Sequence, residues 1–314
     1  MKRKVNLVGK NTLTVSLPTK WVKDNKIMKG EELNFFFDKD KIVFSRSESK
    51  KEKKSVSLNI DDYTYITLAR HLAVLYKTNF DRITLIYSKT TIPYPKGSGE
   101  MNLKKTIQKL VGRLVGAEII SQSSTKTEIE VFATEEFPDL DKIERRIHFL
   151  LKETMDELLD AVGKDYKHFH ESVYDHHDNI VKFINYFLKV LYKSDRSGDE
   201  KKFAFSFYIL IDHIVDKIRH VSEKIEKYGC SSKVKKYLAE IFDIFYEELK
   251  LVAKKQVPKS LMEKRYRLKE KIDSDSFTVK DLKVMYEVMI MLDTIAESEE
   301  YIISKNLEKI AAQG

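Results

Sequence analysis

Residues 11–33, NTLTVSLPTKWVKDNKIMKGEEL, change period halfway along. Leu13, Val15 and Leu17 alternate with Thr12, Thr14 and Ser16, the two-residue period of a strand with one apolar face. Pro18 then suits the first turn of a helix, where its missing N–H leaves no bond unmade. That helix is short, over residues 18–26, and Gly30 supplies the turn into a strand carrying Leu33, Phe35 and Phe37. Upstream, Val5 and Leu7 alternate with Lys4 and Asn6, and Gly9-Lys10-Asn11 is a turn signal. Downstream, the turn at 38–40 returns the chain through Ile42-Val43-Phe44. Residues 1–46 therefore read as β-rich, yet such a piece has too little core to stand alone. The expected remedy is a dimer in which two copies complete one barrel.

Charge sets this segment apart. The 314-residue chain carries a formal net charge of +8. Residues 1–54 hold 15 Lys/Arg against 7 Asp/Glu, which leaves 42 of each sign in the remainder. The whole excess lies in the first sixth of the chain. A basic head that meets a polyanion and a balanced body with another task fit this asymmetry, although a solvated basic terminus fits it too. The single cysteine, Cys230, excludes an intramolecular disulfide framework and suits a reducing cytoplasm. Met1-Lys2-Arg3-Lys4 leads into an alternating strand, so no signal peptide is expected. No apolar run reaches about 18 residues, so no membrane insertion is expected and the protein reads as soluble.

Beyond a polar linker, SESKKEKK (47–54), residues 55–134 mix types. Strand signals sit at 55–60, 82–88, 117–122 and 126–132, and helical patterns at 61–77 and 101–114. That order makes a small two-layer α/β domain, with TTIPYPKGSG (90–99) as a loop. Residues 138–310 are helical almost throughout. Ile143, Ile147, Leu150, Leu151, Met155 and Leu158 recur at three and four. Breaks near 164–169, 195–200, 229–232, 256–259 and 273–280 divide this part into six helices. ILIDHIVDKI (209–218) and IMLDTIAESE (290–299) align without a gap, which implies two three-helix units, 138–228 and 233–308.

The repeat carries acids. Asp212 and Asp216 share a helix face, and Asp293 and Glu297 repeat the spacing. Glu171 and Asp175 match it, with Asp178 one turn on, and so do Asp243 and Glu247. Like charges at this spacing cost a helix about 0.2–0.5 kcal/mol unless something offsets them. A cation bridging carboxylates from two helices would do so. A solvated face with lysines such as Lys182 and Lys217 nearby would do so as well. HFHESVYDHHD (168–178) adds His168, His170, His176 and His177, and His220 follows Asp216 by one turn. Each of these histidines is a packing or surface residue or a transition-metal ligand. The chain has no G-x-x-x-x-G-K-[ST], G-x-G-x-x-G, G-x-S-x-G or H-E-x-x-H, and Gly112 and Gly116 have no following Lys-Ser/Thr. No enzyme is expected.

The segment GKNTLTVSLPTKWVKDNKIMKGEELNFFF (9–37) resembles the AbrB/MazE/SpoVT swapped-hairpin DNA-binding domain. Leu13-Val15-Leu17, Pro18, Trp21-Val22 and Lys29-Gly30-Glu31-Glu32 carry the likeness. The helical part, through LIDHIVDKI and its repeat, resembles PhoU, with its two three-helix bundles and paired E/D-x-x-x-D metal motifs. Together they look like archaeal PhoU-related phosphate-uptake regulators with an AbrB-type head. The implied fold class is multidomain: a β-rich swapped-hairpin head, a small α/β domain and an all-α pair of three-helix bundles. The resemblance implies a homodimer, formed through the head, that grips double-stranded DNA through Lys2, Arg3, Lys4, Lys10, Asn11, Lys20 and Lys23. Lysines and arginine would neutralise phosphates, and Arg3 and Asn11 would read base edges. Asn11 could equally hold its turn. The lysine-rich, arginine-poor head favours backbone gripping over bidentate guanine readout. The family also implies a divalent or ferric ion of the iron or zinc class on the acid pairs. Asp212 and Asp216 fit the motif best, and Glu171-Asp175 fits E-x-x-x-D outright. A rival reading is an adaptor that contacts a phosphate transporter or signalling protein and uses the head mainly to dimerise.

Overall fold

A computed structural model describes residues 2–38, 41–46, 53–94, 99–132, 139–163, 169–194, 196–254 and 259–304. Most of the charged linker, the centre of the 90–99 loop, His168 and the breaks at 164–168 and 255–258 lie outside the described residues. The chain divides into two compact units, Met1–Glu52 and Lys53–Gly314.

In the first unit, β1 (Val5–Val8) pairs antiparallel with β2 (Thr12–Val15), with Val5 opposite Val15 and Leu7 opposite Leu13. Gly9, at φ 67°, makes the turn that a β-carbon would strain. The strand stops at Val15, short of Leu17, and Pro18 is extended at φ −62°, ψ 125°. Proline thus stands just before the short helix α1 (Thr19–Asp24) and not within it. A second antiparallel pair follows, β3 (Leu33–Asp38) with β4 (Lys41–Arg46), in which the rings of Phe35 and Phe44 stand 6.0 Å apart.

The second unit opens with a four-stranded sheet ordered β5-β6-β10-β9. β5 (Ser55–Asn59) and β6 (Arg82–Ile86) are parallel and joined through α2 (Tyr65–Lys77). After α3 (Leu103–Val111), β9 (Ala117–Gln122) and β10 (Lys126–Val131) add antiparallel. Thr64 caps α2 by accepting the Thr67 N–H, and Asn102 caps α3 by accepting that of Lys105. Leu68, Leu72 and Tyr76 of α2 and Ile107 of α3 share a buried core with Ile83, Leu85 and Ile129. The opposite face of the sheet presents Ser55, Ser57, Asn59, Arg82 and Lys126 to solvent, which explains the alternation along its strands. The 90–99 region differs from a plain loop: β7 (Thr91–Pro93) and β8 (Glu100–Asn102) form a small hairpin.

Six long helices follow among the described residues: α4 (Leu140–Ala161), α5 (Phe169–Lys193), α6 (Gly198–Tyr228), α7 (Ser232–Lys254), α8 (Lys259–Ser274) and α9 (Val279–Ser304). Asp139 caps α4, and a Ser197–Glu200 capping box starts α6. Gly229, at φ 70°, ends α6. One continuous core runs through the whole helical part. Phe207 of α6 stacks on Tyr301 of α9 with ring centres 4.3 Å apart, so the two sequence repeats pack on each other. The α/β layer sits against α5: Asn79 donates to the Lys189 carbonyl (3.4 Å), and the Lys189 ammonium lies 4.5 Å from the centre of the Tyr76 ring. Among the described residues no helix is long and apolar enough to cross a membrane.

Candidate functional site

The carboxylates of α6 meet the α/β layer along a polar seam. His177 of α5 is buried, and its two ring nitrogens bond carboxylates on either side. Nδ1 lies 3.1 Å from Asp178 Oδ1 and Nε2 lies 3.0 Å from Asp216 Oδ1. Arg219, one turn after Asp216, donates to the same Oδ1 at 3.1 Å. Arg113, in the turn after α3, grips Asp178 Oδ2 through Nε (3.1 Å) and its terminal nitrogen (2.7 Å), and also donates to the Tyr174 hydroxyl at 3.3 Å. Lys109 of α3 stands 4.8 Å from the centre of the Tyr174 ring. Lys77, the last residue of α2, lies in the field of Asp212.

The protonation states follow from this packing. Burial opposes charge on His177, but the bonds to Asp178 and Asp216 prevail and hold its pKa above the ordinary value. Burial likewise works to raise Asp216, yet the His177 bond and charge and the Arg219 guanidinium carry it far below the usual carboxylate range. Asp178 is lowered against burial by His177 and Arg113. Asp212 goes the other way: burial raises it, the Asp216 charge raises it further, and His177 and Lys77 offset only part. The seam thus sets the His177 ring between the carboxylates of Asp178 and Asp216, with the guanidiniums of Arg113 and Arg219 at its two ends. The offset that like charges four apart require comes here from the protein's own cations.

The other acids of the same spacing stand apart. Glu171 and Asp175 are exposed on the first turns of α5. Asp243 and Glu247 are exposed on α7, and Glu247 pairs with Lys250 at 2.6 Å. Asp293 and Glu297 are exposed on α9, and Asp293 pairs with Lys269. Among the described residues no three His, Cys, Asp or Glu side chains converge as a metal site. His220 lies 3.6 Å from Glu287 on α9, beside the Lys217–Glu287 pair at 3.0 Å, and its Nε2 stands 2.9 Å from the Arg219 guanidinium. His170 bonds the Ser222 hydroxyl (2.8 Å), and His176 bonds Glu157 (2.8 Å). Arg113, Arg219 and Lys77 escaped the sequence reading because a cation on an amphipathic helix or in a turn carries no periodic signal. His177 lay in a recognised cluster, but nothing in the spacing singled it out from His176.

In the N-terminal unit Lys2, Arg3, Lys4, Lys10, Asn11, Lys20 and Lys23 are all exposed. The lysines and Arg3 have no carboxylate within ion-pair distance among the described residues. The neighbouring hairpin is exposed on its apolar side: Val5 is 60%, Leu7 63%, Leu13 69% and Val15 56% accessible.

No family model matches the chain, and no curated protein or solved structure matches it either.

Proposed function

We propose that this protein is a homodimeric DNA-binding regulator of phosphate uptake. In this reading an AbrB-type head grips duplex DNA, and a PhoU-like helical body transmits the regulatory signal. One observation carries it. The β1–β2 hairpin exposes Val5, Leu7, Leu13 and Val15 together, in a unit whose six exposed cations have no carboxylate partner among the described residues. Apolar side chains set in register on one face of a two-stranded ribbon leave a hairpin that is at best marginally stable alone. A second copy would cover that face, and the free lysines would then line one side of the dimer. Such a surface suits phosphate contacts, which are electrostatic and largely independent of sequence. The phosphate signal itself rests on the resemblance of the helical repeat.

The test is the affinity of the full chain for genomic DNA fragments across a salt series, beside the Lys4→Ala/Lys10→Ala variant. The slope of log affinity against log salt should be steep. It should fall by about 0.9 for each phosphate contact removed. Absence of binding even at low salt would sink the regulator and leave the head as a dimerisation device on an adaptor.

A further inference from the structure

One end of the helical bundle is basic and carries exposed apolar side chains. The α6–α7 and α8–α9 turns are tied together there. The Ser231 N–H donates to Asp281 Oδ1 (2.9 Å), and Lys233 donates to the Ser276 carbonyl (3.1 Å). The Lys283 ammonium lies 4.1 Å from the centre of the Tyr228 ring, and that of Lys227 lies 5.3 Å from it. A hydrogen bond from Lys227, and then the charges of Lys227, Lys283 and Lys224, pull the Tyr228 phenol below its ordinary pKa. Several nearby acids are engaged by other groups. Glu226 accepts the His170 N–H on the α5 side (3.1 Å), Glu223 lies by His170 too, and Asp281 also accepts the Thr278 hydroxyl (2.9 Å). Glu287 is taken by Lys217, and Asp275 by Tyr237. Lys224, Lys227, Lys280 and Lys283 have no carboxylate within ion-pair distance among the described residues.

Beside these lysines the first turns of α9 carry an apolar stripe at i, i+3 and i+7. Val279 is 73%, Leu282 53% and Tyr286 67% accessible. Lys283 is one turn from both Val279 and Tyr286, so the cationic and apolar parts are one patch. We propose that this end of the bundle docks on the headgroup layer of an anionic membrane. Charge decides the occupant, because free ammoniums around a phenol call for a dense anionic surface. The apolar stripe decides between a membrane and a peptide: Val279, Leu282 and Tyr286 stand exposed beside the lysines on α9, which suits shallow insertion between headgroups. Tyrosine, amphipathic at its tip, belongs at that depth.

The experiment is co-sedimentation of the full chain with vesicles of phosphatidylcholine containing about one-third phosphatidylserine, and with pure phosphatidylcholine. Three proteins are compared: the parent, Lys224→Glu/Lys227→Glu/Lys283→Glu, and Lys4→Ala/Lys10→Ala as a control for the basic head. Binding should require phosphatidylserine and weaken with salt. It should fall about a hundredfold in the triple variant and persist in the head variant. A Tyr286→Trp reporter, read against the Trp21 background of the parent, should shift its emission to the blue on these vesicles alone. This readout stands even if the triple variant fails to fold. Equal binding by the triple variant, no blue shift at position 286, or binding to polyglutamate but not to vesicles would overturn the proposal.

Discussion

Glu248 of α7 is only 1% exposed and lies beside Glu299 of α9, itself 7% exposed. One cation serves both: Arg265 of α8 donates to Glu299 through Nε (2.8 Å) and a terminal nitrogen (3.3 Å). Burial and the Glu299 charge push Glu248 up to about 9, and Arg265 offsets only part of this. A folded-state pKa above the unfolded value means the native protein holds one extra proton between the two. The associated stability is fully present below the ordinary glutamate pKa and is lost as pH rises through the folded value. The slope in that window is about 1.4 kcal/mol per pH unit for one proton, whatever the upper limit. Glu248→Gln keeps the shape, leaves the Glu299–Arg265 pair in place and cannot titrate. Between about pH 6 and 8 the parent should therefore lose about 2.7 kcal/mol relative to the variant. At about 2–4 °C per kcal/mol, the gap between their melting temperatures should change by about 5–10 °C across that range. Far-UV circular dichroism melts at three pH values measure it. Other titrating groups, His177 among them, cancel in the difference. Parallel curves for the two proteins would refute the reasoning.

The seam gives two further predictions. Arg113→Ala leaves Asp178 without its guanidinium at a site where the two side chains are 17% and 22% exposed. It should cost about 2 kcal/mol, read from the urea midpoint; a change under about 0.5 kcal/mol would mean the pair adds little. His177 should titrate above the ordinary histidine value, observable by NMR of its ring protons. Its stabilising charge is present below the unfolded histidine pKa and lost as pH rises through the raised one. A histidine titrating below the ordinary value would show that the two carboxylates do not hold the proton. In the head, Leu13→Glu places a charge on the exposed apolar face of the hairpin. It should convert the proposed dimer to monomer in analytical ultracentrifugation and weaken the proposed DNA binding with it, whereas a dimer that persists in the variant would place the interface elsewhere.

Much of the architecture was legible because it is local. Periods of two and of about 3.6 place the strands and helices, and β9 falls on residues 117–122 as the alternation implies. The expected breaks near 195–200 and 229–232 contain Ser197 and Gly229, which end α6 through local cap chemistry. The β7–β8 hairpin was not legible, since three-residue strands broken by proline and glycine carry too short a period. Nor was the fate of the acid pairs, which share one spacing but not one environment.

The sequence by itself determined a β-rich basic head, a two-layer α/β stretch and a helical remainder built on a repeat, because pattern and charge balance are properties of neighbouring residues. Only the tertiary structure decided what the repeat's carboxylates do. The α/β layer packs on α5, so Lys77 lies in the field of Asp212 and Arg113 grips Asp178, which His177 links to Asp216, and the acids of the first repeat become part of a partly buried charge network. Asp293 and Glu297, their counterparts, remain in solvent. Identical spacing thus yields a charge network in one place and a hydrated helix face in the other. The energy of a carboxylate depends on the dielectric and the cations around it, and those are supplied by residues far away in the chain.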